Sequence, residues 1–448
     1  MSLIADLVWI KRGVPKAVPD KVKLSADEIR TLIQEGEPET SELSDTAEGT
    51  AGDGTQQRRG IRGSSPDVAD EEMGTDKYKL DQYDENDEES DEEDQEDFEI
   101  KPDDNLVAVA KVYKNEYTLE VYLYNEAEND WYVHHDYILD VPPLCLDIDA
   151  SINIWDLDLV NSVEPMVTLG KTKTVKRKRQ KRDGSAQNHT GAVLSLAWNR
   201  LTEHVLASGS ADNSVILWDL EEAKPAAIAT HFDGMVQAVE WHPTESSILL
   251  TGTLSSQVGV TDCRQFDTLS KQWEVSGEVE RLAWNHFSPF YFFVVTDNGH
   301  LYYMDTRKNE PIISKKVHEG GARSIVQSYY TKDLLSTCGE DGMLKIWRLQ
   351  ENIRDLEFIT EHNVNLGSLH ICRFSPDSGG ILAIGGEKEE MIKIVEISKF
   401  EEVRTAFEIN VYDKLLYYDD DNDDDNNDDD DDDMAMMIMM MIRMMMMM

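Results

Sequence analysis

The sequence predicts an all-β fold, a closed ring of sheet wedges or β-propeller, and three observations predict it. Trp198 in VLSLAWN, Trp241 in VEWHP and Trp284 in LAWNHFSP stand 43 residues apart. A second ladder, Trp218-Asp219, Thr261-Asp262, Met304-Asp305 and Trp347-Arg348, climbs in the same step of 43. Within the first period VLSLAW, HVLASGS and SVILWDL are β-favouring runs separated by turn residues, as a blade repeat of 40 to 45 residues requires. One such unit cannot bury both faces of its sheet, so neighbours must stack around an axis. The expected ring has seven blades, one or two of them incomplete, flanked by disordered acidic tracts.

Taken in order, residues 1–35 predict an amino-terminal strand and helix. LIADLVWI, residues 3–10, reads as a short strand that adds an edge to the propeller, and Ser25 with Glu28 forms a capping box ahead of a helix ending near Gln34. No charged segment precedes an apolar core with a cleavage site, so this is not a secretory signal. Residues 36–104 predict a disordered linker. Asp84 to Asp97 carries 11 acidic side chains in 14 residues, and such a run repels itself and buries too little apolar surface to offset its ordering entropy. Ser90, followed by AspGluGluAsp, is a candidate for an acidophilic kinase, against the alternative of a purely solubilising linker.

The propeller is expected over residues 105–410. LVAVAKV, LEVYLYN and WYVHHD give three strands of a first blade. The next end-mark after Tyr124 is Trp155, only 31 residues on, with room for one run where a blade needs two strands and a turn. Either that blade is incomplete or a piece of its coding sequence is missing. The following step, Trp155 to Trp218, is 63 residues because a loop is inserted over 171–185. Lys171 to Arg182 holds 8 basic residues in 12, and Lys176, Arg177, Lys178, Arg179, Lys181 and Arg182 are the candidates for nuclear targeting or RNA contact. The bland reading is a solvated loop. Residues 411–448 predict a low-complexity tail: only Asp and Asn from Asp419 to Asp433, then almost only Met and Ile. A GAT repeat read one base later becomes ATG, so a frame slip would turn one tract into the other. The Met tract is interrupted by Arg443 and too short to span a bilayer.

Two units share a fuller pattern: His189, Ser208, Asp212 and Trp218, and His318, Thr337, Asp341 and Trp347, with the same His-to-Trp separation of 29. These residues resemble the structural tetrad of the WD-repeat family, in which a buried imidazole and indole find partners in the strand hydroxyl and turn Asp. A nucleophilic triad is the competing reading, but catalytic sites do not come once per repeat. The middle unit keeps His231 and Thr251 but has Ser255 and Thr261 for Asp and Trp. The next has Asn298 and Met304 there, and the last, from His362, ends at Val395-Glu396.

The formal charge of −46 arises substantially from the two acidic tracts. Cys145, Cys263, Cys338 and Cys372 are far apart and form no CxxC pair, which argues against a zinc site and a disulfide framework. His134-His135 lies in a strand, where alternate residues face opposite ways, so one metal is not expected to hold both. There is no P-loop, no GxGxxG opening a helix and no HExxH. The expectation is a non-enzymatic protein without cofactor, metal or small-molecule substrate. Met235, Glu278 and Arg323, read as lying just ahead of innermost strands, are candidates for a partner surface near the central opening.

VWIKRG, PDKVKLSADEI, LDQYD, FEIKPDDNL, YVHHD, IWDLDLVNSVEPMVTLG with its basic loop, WNHFSP and GGEKE together resemble the periodic tryptophan branch of the WD-repeat family. That resemblance implies a nuclear and nucleolar scaffold for ribosome biogenesis, assisting pre-rRNA processing and large-subunit assembly. Its implied partners are proteins of pre-ribosomal particles, with pre-rRNA or histones as further ones. The alternative it leaves open is a chromatin-associated, histone-binding regulator of ribosomal genes.

Overall fold

Runs such as VLSLAW, ILLTGT and YFFVVT are buried along most of their length, as strands stacked between neighbouring sheets must be. The computed structural model describes residues 2–22, 99–143, 151–170 and 188–407, apart from 115, 129, 140, 141, 353 and 389–391. The expected helix near 25–34, both acidic tracts, Ser90, the basic loop and the Asp/Met tail lie outside the described residues.

Strand β1 (Ser2–Ile10) is followed by the short β2 (Asp20–Lys21), and then β3 (Asp104–Tyr113), β4 (Glu116–Asn125) and β5 (Asp130–Ile138) complete blade 1. Its spatial order is β1-β3-β4-β5. In the second position, among the described residues, β6 (Ile152–Ile154) pairs only with β8 (Val167–Leu169), while β7 (Leu159–Val160) runs parallel to β2. Blade 3 contains β9 (Val193–Trp198), β10 (Val205–Ser210), β11 (Val215–Asp219) and β12 (Lys224–Ala229). Blade 4 contains β13 (Val236–Trp241), β14 (Ile248–Thr253), β15 (Gln257–Asp262) and β16 (Leu269–Glu274). Blade 5 is β17 (Val279–Trp284), β18 (Tyr291–Thr296), β19 (His300–Asp305) and β20 (Ile313–Lys316). Blade 6 is β21 (Ala322–Gln327), β22 (Leu334–Gly339), β23 (Met343–Gln350) and β24 (Asp355–Asn363), and blade 7 is β25 (Leu369–Phe374), β26 (Ile381–Gly386) and β27 (Lys393–Glu396). A helix, α1 (Glu401–Phe407), follows and buries Val403 beside Leu382 and Ile384.

Among the described residues the result is a propeller of six blades with three or four strands each, plus a two-stranded remnant in a seventh position. That remnant is the short blade the sequence predicts. Among the described residues it has no counterpart of the two inner strands that every other blade has. Innermost strands pack in succession, β9 on β13, then β17, β21 and β25, and β25 on β1.

The amino-terminal strand does add to the edge of a sheet, but to the inner edge, against the axis. Two features place it there. Each innermost strand carries one extra residue opposite its partner, at Leu194, Gln237, Glu280, Arg323 and His370, and Ala5 is the extra residue of β1. Four residues after each extra residue comes a large or amide-bearing side chain, Trp198, Trp241, Trp284, Gln327, Phe374 and, in β1, Trp9.

Candidate interaction faces of the propeller

The two tetrads form in full. In blade 3 His189 Nε2 lies 2.7 Å from Ser208 Oγ, and Trp218 Nε1 donates to the same oxygen at 2.8 Å. His189 Nδ1 faces Asp212 Oδ2 at 3.2 Å and Ser214 Oγ at 3.0 Å. One tautomer satisfies every link: indole N–H to hydroxyl oxygen, hydroxyl to Nε2, and Nδ1–H to carboxylate. Blade 6 repeats it, with Trp347 Nε1 to Thr337 Oγ1 at 2.9 Å, Thr337 to His318 Nε2 at 2.8 Å and His318 Nδ1 to Asp341 Oδ1 at 2.9 Å. Burial would raise Asp341, but His318 and the N–H groups of Met343 and Glu319 offset this and hold it at about 2. Asp212 is likewise held well below its ordinary value, because hydrogen bonds from His189, Ser214 and Thr190 outweigh its burial.

This geometry speaks against nucleophilic chemistry at either tetrad. Ser208 and Thr337 have no exposed surface, and each hydroxyl oxygen already receives an indole. Where the partners are missing the relay fails. With Ser255 and Thr261 in place of Asp and Trp, both ring nitrogens of His231 and the Thr261 hydroxyl are buried without a hydrogen-bond partner among the described residues. Asn298 takes over part of the Asp role in blade 5, donating to the Ser276 carbonyl at 3.0 Å.

A second set of contacts explains the tryptophan period. Trp241 Nε1 donates to the Ala197 carbonyl of the preceding blade at 2.9 Å, and Trp284 Nε1 to the Glu240 carbonyl at 3.4 Å. Trp9 Nε1 repeats the link to Arg373 at 3.1 Å, joining blade 7 to blade 1. Trp198 follows the remnant, which has no described inner strand, and turns instead to Glu203 of its own blade at 2.7 Å. The period of 43 is thus the spacing of inter-blade hydrogen bonds.

The WD domain, G-beta repeat model matches residues 181–219. The periodic tryptophan protein 1 homolog of Drosophila melanogaster is 30% identical over 91% of this chain and 97% of its own length. The chain belongs to the periodic tryptophan protein 1 family. The Saccharomyces cerevisiae periodic tryptophan protein 1 is 26% identical over 91% of this chain and 90% of its own. Among solved structures, a chain from a crystal structure of the mitotic checkpoint complex superposes with a TM-score of 0.50 at 16% identity, covering 65% of this chain and 83% of that one. That likeness concerns the fold alone.

In this periodic tryptophan protein 1 family member the expected partner-surface residues lie at one end of the ring. Met235 and Glu278 are exposed ahead of β13 and β17. Arg323 is committed elsewhere: it is the extra residue of β21, bonded to Glu280 at 2.6 Å and to Glu340. Across the axis Arg281 meets Asp6 of β1 at 3.1 Å. Burial pushes the Glu240 carboxyl up to about 7, despite the charges of Arg373, Arg200 and Arg281 that pull it down.

At the opposite end the loops after the innermost strands are tied blade to blade. Asn199 Nδ2 donates to the Ser246 carbonyl at 2.7 Å, and His242 Nε2 lies 2.9 Å from the Pro289 carbonyl. The His286 N–H donates to Gln327 Oε1 at 3.0 Å, and the Tyr330 hydroxyl to the Pro376 carbonyl at 2.6 Å. This continuous shelf, from blade 3 to blade 7, leaves Leu201, Phe287, Phe290, Tyr329 and Tyr330 exposed. Sequence reasoning missed it, although aromatic residues inside turn segments such as NHFSPF were the available signal.

The expectation that His134 and His135 face opposite ways is corrected. A register shift between Val121 and Tyr122 makes His134 the extra residue of β5, and the two Nδ1 atoms meet at 2.7 Å. Burial, then the neighbouring His134, lowers His135 to about 3. No cluster of three or more His, Cys, Asp or Glu suited to a metal occurs among the described residues. Cys263, Cys338 and Cys372 are free thiols. No described helix is long and apolar enough to cross a membrane.

Proposed function

We propose that this WD-repeat scaffold acts in ribosome biogenesis, assisting pre-rRNA processing and large-subunit assembly in the nucleolus. Proteins of pre-ribosomal particles are its proposed partners, and the basic run Lys176 to Arg182 its proposed address or RNA contact. Supporting the reading are the near full-length likeness to periodic tryptophan proteins and a sequence pairing acidic tracts with that basic run.

The observation that carries the scaffold role is the loop shelf, where exposed aromatic side chains sit on turns locked by inter-blade hydrogen bonds. Aromatic anchors on a rigid base lose little entropy on association, which suits a surface that holds partners together. The reading takes the protein as non-enzymatic, because the His-Ser-Asp set that could suggest a nucleophile serves as an internal brace.

Sedimentation tests it. Tagged chain is expected to move with pre-ribosomal particles and to leave them when Phe290 and Tyr330 are changed to Ser. Co-purification with nuclease-treated chromatin, and no accumulation of rRNA precursors on depletion, would favour a histone-binding role and overturn this one.

A further inference from the structure

We infer that Cys338 and Cys372 are an oxidisable dithiol, a modification site that peroxide closes as a disulfide across the seam between blades 6 and 7. Cys338 lies on β22 opposite Ser324, and Cys372 on β25 opposite Ile384. Both are free thiols without exposed surface, and both belong to one apolar cluster. A hydrogen bond joins the two side chains.

Their approach is set by the repeat. The residue paired with the third position of an innermost strand faces the fourth position of the innermost strand of the next blade. A Cβ on Gly209 would lie 3.1 Å from Val239 Cγ1, and one on Gly252 3.3 Å from Leu282 Cδ1. Val295 and Ile325 hold the same two places between blades 5 and 6 and share a cluster. Cys338 and Cys372 follow in that register, so a thiol stands on each side of a seam where the side chains of other blades meet as hydrocarbon. Side chains that meet directly from Cβ outward satisfy the close Cβ approach a disulfide needs.

The surroundings give the two sulfurs different roles. Hydrogen bonding from Cys338, and after it from Ser324, lowers the Cys372 thiol against its burial, whereas burial and then Cys372 push Cys338 up. Cys372 is therefore the attacking sulfur. Its thiolate breaks the O–O bond of hydrogen peroxide and becomes a sulfenic acid, and the released hydroxide takes up the thiol's proton as water. Cys338 Sγ then attacks that sulfur: the S–S bond forms, the S–O bond breaks, and the hydroxyl leaves as a second water with the Cys338 proton. The two thiols lose two electrons, and one peroxide gains them. Peroxide is small and uncharged, so brief local opening of the seam admits it without unfolding the ring.

The test treats the folded full chain with hydrogen peroxide, alkylates the remaining thiols and maps its peptides without reduction. The peptide holding Cys338 is expected to be joined to the one holding Cys372, with Cys263 alkylated and unlinked, and the oxidised ring to unfold about tenfold more slowly. Cys338→Val, which places there the residue found at Val295, is expected to stop at a Cys372 sulfenic acid that dimedone traps. Cys372→Ile, matching Ile325, is expected to give no dimedone adduct at Cys338. A folded ring that forms no link between the two at a peroxide dose that oxidises the exposed Met235 would overturn the inference. So would a link that appears only after unfolding in denaturant, a link to Cys263, or equal dimedone labelling of the two variants.

Discussion

The indole N–H of Trp241 donates to the carbonyl of Ala197, one blade back, and both residues are buried, Trp241 at 8% exposed and Ala197 at 5%. A buried carbonyl that loses its donor keeps its desolvation penalty. Trp241→Phe, which retains most of the packing, is expected to destabilise the fold by about 1–2 kcal/mol, read as a lower denaturant midpoint with an unchanged slope. A larger slope change than midpoint change would show that the bond is not what the indole contributes.

The tetrads predict non-additivity. In blade 6 Thr337 takes the Trp347 indole and gives its own proton to His318, so removing either end empties the same hydroxyl. Thr337→Val and Trp347→Phe are each expected to cost about 1–3 kcal/mol, and the double variant less than their sum by about 1 kcal/mol. Additive losses would mean that the two bonds act separately. Thr251→Val and Thr261→Val in blade 4 should cost less, because no such relay exists there.

How much was legible in the sequence follows from which residues carry the period. Of the tryptophans 43 apart, Trp241 and Trp284 mark inter-blade bonds, and the tetrads announce themselves by repeated spacing, so the ring could be read directly. Trp9 could not be assigned to the same ladder, because the stretch 23–98 breaks the period between it and the later members. The spacing of four residues from Ala5 to Trp9, matching Gln237 to Trp241, was the usable clue. His134-His135 was misread because alternation fails at an extra residue, and nothing in YVHHD marks one. Arg323 and Glu280 stand one period apart, yet their pairing depends on both being extra residues of neighbouring inner strands.

Acid should unfold the ring through its turn carboxylates. Asp341 is held at about 2 against an ordinary 3.8. A depressed carboxylate contributes stability that is whole above its unfolded value and is lost as pH falls through its folded one. Each such group is worth about 1–2 kcal/mol, so the stability gap between the original chain and Asp341→Asn should be constant above about pH 4 and close towards pH 2. A gap that persists unchanged at pH 2 would remove the charge from the explanation.

Glu240 predicts the opposite slope. Burial raises its carboxyl from an ordinary 4.5 to about 7, with Arg373, Arg200 and Arg281 only partly compensating. In that window the folded chain binds a proton that the unfolded chain has already released, so stability falls as pH rises from about 4.5 to 7 and stays lowered above it. Glu240→Gln keeps the backbone carbonyl that Trp284 uses and carries no charge to desolvate. The variant should therefore melt higher than the original chain at pH 8, with the advantage shrinking steadily towards pH 4.5. An advantage independent of pH would assign the gain to packing. A variant less stable at pH 8 would show that the three arginines, not burial, set the energy of that carboxylate.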